Sequence, residues 1–452
     1  MKKLVATAAV AAMLGSAAFA DVNVGLNGQN VWAIGNSTDT GNDNSSEVMM
    51  SNATPWHGDG TRNQISVEAS NENFGGKFAY NHNGDANTGI DCGWLWYSPV
   101  EQFKIWAGKG TGDNIRGDAC YSTWDLFRVG TMDNGDNRHE AFTFQGQDST
   151  GAKIGVFPIE GLQIYASLNY PCWNGRDADA GDIGDSENKL TNILGRQSKY
   201  ALAYAIGGDE GIATVKLGLD TTAGRVVVKD GDDMKLKDQN ILNIAADIKP
   251  MENLFISVGA FIPTVQKYYA AYDANKLAAI ETAIASNDLD TILAAFDDAG
   301  ILAVDGEYVE KSAGNKVNLY ARYGATDELT IHAQVGTKIG TYLIDKDGKN
   351  KKDGQFGIFV AGGVDYKLAD DLKLFADVGY ANGIYLSNKN ADNTDCMNFG
   401  IGVQKDYEGC SVSAGFVGAT NGTGMYKTTY TDNGDTKYPF SWGIPLRVSY
   451  SF

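Results

Sequence analysis

The chain has 452 residues, 43% hydrophobic and 21% charged, which is room for one large domain or two ordinary ones. Mean hydropathy is −0.26 and no run of 18 apolar residues occurs, which excludes a polytopic helical membrane protein. A formal charge of −19 argues against a nucleic-acid partner, because such binders carry a basic footprint.

In chain order, the first expected element is an export signal. Lys2 and Lys3 give a positive start, Leu4 to Leu14 a short apolar stretch, and Ala18-Phe19-Ala20 an A-x-A cleavage site. Residues 1–20 are expected to be removed, leaving 21–452 as the folded domain and taking two positive charges with them. The stretch is too short for a membrane anchor, and no cysteine near the cleavage point suggests a lipoprotein. Export makes disulfides feasible among Cys92, Cys120, Cys172, Cys396 and Cys410. A Cys120–Cys172 bridge is one option, Cys92 could pair with either, and Cys396 and Cys410 should not pair with each other.

From about Val22 onward, segments of about ten residues alternate between apolar and polar side chains, as half-buried strands do. Leu162, Ile164, Ala166 and Leu168 oppose Gln163, Tyr165, Ser167 and Asn169. The same two-residue period runs through 317–323, 329–335, 372–378 and 397–404. Short turns rich in Gly, Pro, Asn or acids separate the segments near Ser70–Phe74, Ser98–Gln102, Pro158–Gly161, Gly207–Gly211, Lys249–Asn253, Gly324–Glu328, Leu368–Asp371 and Tyr407–Gly409. With 55 Gly, 22 Tyr, 18 Phe and 8 Trp against 8 Pro, the composition suits strands and polar turns. Arg138–Phe157 reads as one long strand kinked near Asp148–Gly151, with two short strands as the alternative. Tyr269–Asp298 breaks the pattern: Leu277, Ile280 and Ile284, then Leu289, Ile292, Leu293 and Phe296, recur at helical spacing. This predicts a short helical insertion in one long connection, either a lid over the barrel mouth or a hairpin packed on neighbouring loops.

The last element is the strand ending Leu446-Arg447-Val448-Ser449-Tyr450-Ser451-Phe452, apolar at every second position and aromatic at its last residue. This terminus resembles the closing strand of bacterial outer-membrane β-barrels, and together with the export signal it identifies that class. The resemblance implies that Phe452, Tyr450 and Val448 are the signal read by the barrel-assembly machinery. The expected fold is all-β: a transmembrane antiparallel up-and-down β-barrel. Eight hairpins plus a first and a last strand give about 18 strands, within a range of 16–20, with both ends on the short-turn side. Aromatics near strand ends (Trp94, Trp96, Tyr80, Tyr170, Tyr200, Tyr366, Tyr380, Tyr450, Phe452) are expected in girdles at the membrane interfaces.

Parity then assigns the bore. Lys77, Lys104, Lys153, Lys216, Arg322, Lys373 and Arg447 are expected to face inward with Glu68, Asp247, Asp365 and Asp377, so the wall leans basic in an acidic chain. Barrels of 16–18 strands leave an aqueous channel. The layout resembles trimeric porins, in which the third loop folds inward. That resemblance places Asp113, Asp118 and Asp125 of the long connection Gly110–Asn137 opposite Lys77, Lys104 or Arg447, although the trimeric porins' Pro-Glu-Phe-Gly-Gly-Asp motif is missing. The function implied is an outer-membrane porin passing small hydrophilic solutes and ions by passive diffusion. Total charge favours cations, whereas the wall favours anions. The alternatives are a surface adhesin or interaction barrel with a plugged bore, and a sugar-type specific channel using Trp106, Tyr165, Tyr320 and Phe375. Expected partners are outer-membrane lipid and lipopolysaccharide, the assembly machinery and small solutes, with a homotrimer open and no nucleic acid. No catalytic, metal or cofactor site is expected. His57, His82, His139 and His332 form neither the His-x-Ser of outer-membrane phospholipases nor the Asp-His of omptin proteases, and the Asp-Gly and Asn-Gly tips lack the EF-hand spacing.

Overall fold

The computed structural model describes residues 21–37, 61–82, 89–110, 150–169, 198–208, 211–223, 225–230, 233–268, 314–344, 350–386, 395–420 and 440–452, with short pieces at 46–47, 51–52, 115–116, 143–144, 194, 291, 311–312, 430–432 and 435–437. Eighteen antiparallel strands form one sheet. They are β1 (Asp21–Ser37), β2 (Thr61–Ser70), β3 (Phe74–His82), β4 (Gly89–Val100), β5 (Phe103–Lys109), β6 (Thr150–Val156), β7 (Leu162–Asn169), β8 (Ser198–Ile206), β9 (Ala213–Asp220), β10 (Ile241–Met251), β11 (Leu254–Pro263), β12 (Asn315–Gly324), β13 (Leu329–Ile344), β14 (Asn350–Ala369), β15 (Leu372–Ala381), β16 (Cys396–Tyr407), β17 (Cys410–Ala419) and β18 (Ser441–Ser451).

Each strand pairs with its neighbour in sequence, and β18 returns to pair with β1. Asn27 sits opposite Ser451 and Val31 opposite Arg447, and a bulge between Ala33 and Gly35 shifts the register above them. The seam closes on the last residue: Leu26 N–H donates to Phe452 C=O, and Phe452 N–H to Leu26 C=O, each at 2.9 Å. Closure removes every sheet edge, which a hydrocarbon environment requires because it offers no other backbone partners.

All eight expected short turns fall between paired strands, and both ends of the barrel chain lie on that side. Side chains sort by parity. Val24, Ile65, Ile90, Leu217, Leu319, Ile401 and Phe452 are among the apolar residues exposed on the outside, while Ser66, Lys153, Ser167, Asn243, Ser257, Asn318, Gln334 and Ser413 are buried on the inside. Apolar-out and polar-in is the inverse of a soluble sandwich, and it is the architecture of a bacterial outer-membrane barrel.

Two expectations change. Of the strand expected over Arg138–Phe157, the described part in the barrel sheet is Thr150–Val156. Thr143–Phe144 instead pairs with Ile115–Arg116, apart from the barrel sheet. Trp94 and Trp96 face the bore, not a girdle, because they stand opposite Lys77 and Gly75 on the inward face of β3. A bulge between their register and that of Ile90 moves the parity there. The helical insertion expected at 269–298 lies, apart from Thr291, outside the described residues, as do the export signal, Tyr170, Cys120 and Cys172. Among the described cysteines, Cys92 and Cys410 stand as thiols and Cys396 as a buried thiol. Cys396 and Cys410 start neighbouring strands at opposite ends of the barrel.

Candidate functional site

The inner wall is built by strand parity, so each functional side chain is positioned by the ladder on either side of it. Four carboxylates on this wall, Glu68, Asp220, Asp247 and Asp365, are met by a cation. Glu68 lies 3.8 Å from Lys77 across β2 and β3. Asp220 lies 3.7 Å from Lys199 across β9 and β8. Asp247 pairs with Lys216 and also accepts a hydrogen bond from the Ser257 hydroxyl at 2.5 Å. Asp365 is shared between Lys373 at 3.8 Å and His332 at 3.6 Å. Asp377 is buried on the same face.

The remaining cations rest on aromatic faces. Lys104 Nζ sits 3.8 Å above the Trp96 ring and 5.2 Å from Trp106. Lys153 Nζ lies 4.4 Å from the Trp106 ring. The Arg322 guanidinium lies 5.5 Å from the Phe255 ring, and Lys338 lies 4.9 Å from that of Tyr385. Arg447 donates to the Ser413 hydroxyl at 3.3 Å. A ring face attracts a cation without cancelling its charge. The described wall is therefore net basic, with aromatics holding the surplus.

Two aromatic clusters lie on separate stretches of the inner wall. On β5–β10, Trp106, Tyr165, Ala201, Ala203 and Ala245 pack together with Trp94, Trp96 and Phe157 against them, and Ile115 joins them. Ile115 belongs to the third long connection and is 4% exposed, so that connection re-enters the barrel at this residue. Asp113, Asp118 and Asp125, on either side of it in sequence, lie outside the described residues. On β11–β16, Phe255, Tyr320, Phe359, Ala361, Ala381 and Cys396 form the second cluster. Tyr320 stacks on His332 at 6.2 Å, its hydroxyl 2.9 Å from His332 Nδ1.

Parity from sequence located Lys77, Lys104, Lys153, Lys216, Asp247, Arg322, Lys373, Asp377 and Arg447 on this wall, and it missed others. Lys199 follows the same alternation one step before Ala201 and could have been found by extending the segment. Lys338 required the full length of β13. Phe255, Ile115 and Tyr385 had no signal, because a lone apolar residue does not announce which surface it meets.

No protein-family model matches the chain, and no curated protein matches it. Among solved structures, Salmonella typhi OmpF in complex with daunomycin has a TM-score of 0.43 and 11% identity, covering 96% of this chain and 97% of that one. The outer membrane channel DcaP of Acinetobacter baumannii has a TM-score of 0.39 and 13% identity, covering 97% and 99%. OmpT of Vibrio cholerae, expressed in the outer membrane, has a TM-score of 0.40 and 11% identity, covering 95% and 98%. At scores and identities this low, what this barrel does has to follow from its own wall.

Proposed function

We propose that the chain is a porin of the bacterial outer membrane, a water-filled barrel through which small hydrophilic solutes and ions diffuse passively. The observation that carries this is charge open to solvent on the inside of a closed barrel. Arg322 is exposed there, and the side chains of Lys77 and Lys373 retain 34% and 35% of their accessible surface. Such charges are stable only beside water, since a dry bore would have to desolvate them. The width agrees. Eighteen strands spaced about 4.8 Å apart and tilted about 40° form a backbone cylinder about 35 Å across, whereas eight strands already make a barrel that side chains just fill.

In this proposal the inward charges line the pore. Asp113, Asp118 and Asp125 face them from the third connection, which Ile115 anchors to the wall. Phe452, Tyr450 and Val448, apolar-side residues of the strand that closes the seam, form the assembly signal. Conduction through purified barrels in a planar bilayer tests the function: stable single-channel steps are expected, and silence from verified folded barrels would sink it in favour of a plugged interaction barrel.

The aromatic clusters favour a second version, a sugar-type specific channel, because ring faces bind the apolar faces of sugars. A specific channel saturates: its ion current would be blocked by millimolar sugar. A general diffusion pore would keep its current.

A further inference from the structure

Beyond the third connection, a second segment enters the barrel. After β15 the chain does not rise out of the wall. It turns at Asn382 into a single helical turn, α1 (Gly383–Leu386), and lays Tyr385 against the inner face. Tyr385 is 3% exposed and stacks on Phe359 at 5.6 Å with ring planes 24° apart, beside Ala361, Ala381 and Cys396.

The wall is shaped to receive it. A Cβ on Gly357 would lie 2.9 Å from the Tyr385 backbone, and one on Gly336 would lie 2.8 Å from its hydroxyl. Both glycines are on the inward parity of β14 and β13, so the space they leave is a groove in the bore. Polar groups fix the segment at each end. Asn382 Oδ1 accepts from the N–H groups of Tyr385 at 2.9 Å and Ile358 at 3.0 Å, while Asn382 Nδ2 donates to Phe356 C=O at 3.0 Å. Lys338 Nζ donates to the Tyr385 carbonyl. Asp395 accepts from Gly383 N–H at 3.1 Å and from the Tyr380 hydroxyl at 2.5 Å.

We propose that residues 382–386 are a fixed inward strap that sets the clearance of the pore on the β13–β15 side, and that Tyr385 is the positioning residue that seats the strap in the wall. The proposal rests on the porin function above. A loop with no role in the bore would not require two wall glycines, a lysine and an asparagine to hold it there. The strap is fixed and not a gate: it is bonded to the wall itself, through Ile358 N–H, Ile358 C=O and Phe356 C=O of β14 and the ammonium of Lys338.

The test compares wild type with Tyr385→Ala and Tyr385→Phe in planar bilayers and in liposome swelling with neutral sugars of increasing size. Heat-modifiable gel mobility serves as the check of folding. Tyr385→Ala is expected to raise single-channel conductance and to admit sugars that wild type excludes, while Tyr385→Phe, which keeps the stack on Phe359, stays at the wild-type level. If Tyr385→Ala does not fold, Asn382→Ala, which cuts the anchoring bonds and keeps the ring, carries the same expectation. A folded variant with wild-type conductance and size limit overturns the strap and leaves the porin function standing. A silent wild type overturns the porin function itself.

Discussion

Lys216 and Asp247 show how one residue pair on the wall couples stability to the bore. They meet diagonally across β9 and β10, Lys216 standing opposite Ala245 and Asp247 opposite Thr214, with only 7% and 13% of their side-chain surface open, and Ser257 supplies a further hydrogen bond. Water cannot take over for a missing partner in so closed a site. Lys216→Met is therefore expected to destabilise the barrel by about 3–5 kcal/mol, the usual cost of leaving a buried charge alone. The double variant Lys216→Met with Asp247→Leu should recover most of that loss. Denaturant unfolding of the refolded barrel measures both. Equal loss in the single and double variants would mean that the pair is not what stabilises this patch. The inward position of both residues was legible in the sequence, because a period of two is strict along a ladder. Their pairing was not, because it depends on the register between two strands joined by a long connection.

The seam between β18 and β1 makes the same point for whole elements. The last strand was recognisable from its alternation and its terminal aromatic residue, and so was its place at the end of a closed sheet. What the sequence did not disclose is how the seam is locked. The Phe452 ring stacks with Tyr450 at 6.1 Å and lies over Gly409 in the turn between β16 and β17. Gly409 has φ of +69°, and a Cβ there would lie 2.6 Å from the Phe452 ring. The Tyr450 hydroxyl reaches past β1 to the side chain of Asn63 on β2, crossing at Gly28, which stands in register with both residues and has no side chain to block it. Gly409→Ala is thus expected to combine backbone strain of order 1–3 kcal/mol with displacement of the terminal ring. It should lower the folded fraction on refolding from urea, read by gel mobility. Phe452→Ala should behave differently: a lower yield in cells that carry barrel-assembly machinery, with refolding into detergent largely retained. Equal losses in both settings would assign Phe452 to stability alone. The elements that sequence placed less well have physical reasons too. The Arg138–Phe157 segment does not stay whole in the barrel sheet because Thr143–Phe144 finds a partner in Ile115–Arg116, a pairing that local alternation cannot anticipate. Trp94 and Trp96 point inward because one bulge in β4 reverses the parity above it.

At the scale of the whole molecule, charge is layered along the barrel axis. Every short turn carries an acid, namely Glu72, Glu101, Glu160, Asp209 with Glu210, Glu252, Asp327 with Glu328, Asp370 with Asp371, and Glu408, and only the turn Lys249–Asn253 contains a Lys or Arg. The wall above them is net basic. A permeating ion therefore crosses an acidic rim and then a basic wall, and the rim adds to the acid carried by the long connections. With both layers charged, a mild cation preference is expected at pH 7, because the mouths concentrate cations before the wall is reached. The layers separate by titration. Carboxylates neutralise as pH falls through about 4, while Lys and Arg stay charged. Hydrogen bonds from the ammonium groups of Lys367 and Lys405 hold the Asp370 and Asp371 carboxyls below the ordinary carboxylate range, so these two keep their charge to lower pH than an ordinary carboxylate. Reversal potentials in asymmetric KCl should consequently move toward anion preference as pH is lowered. Replacing the rim acids by their amides should produce part of that shift already at pH 7. A reversal potential that moves with pH but ignores the amide variants would place selectivity in other carboxylates, such as those of the third connection that Ile115 ties to the wall, and one that ignores both would place it in the Lys and Arg of the wall.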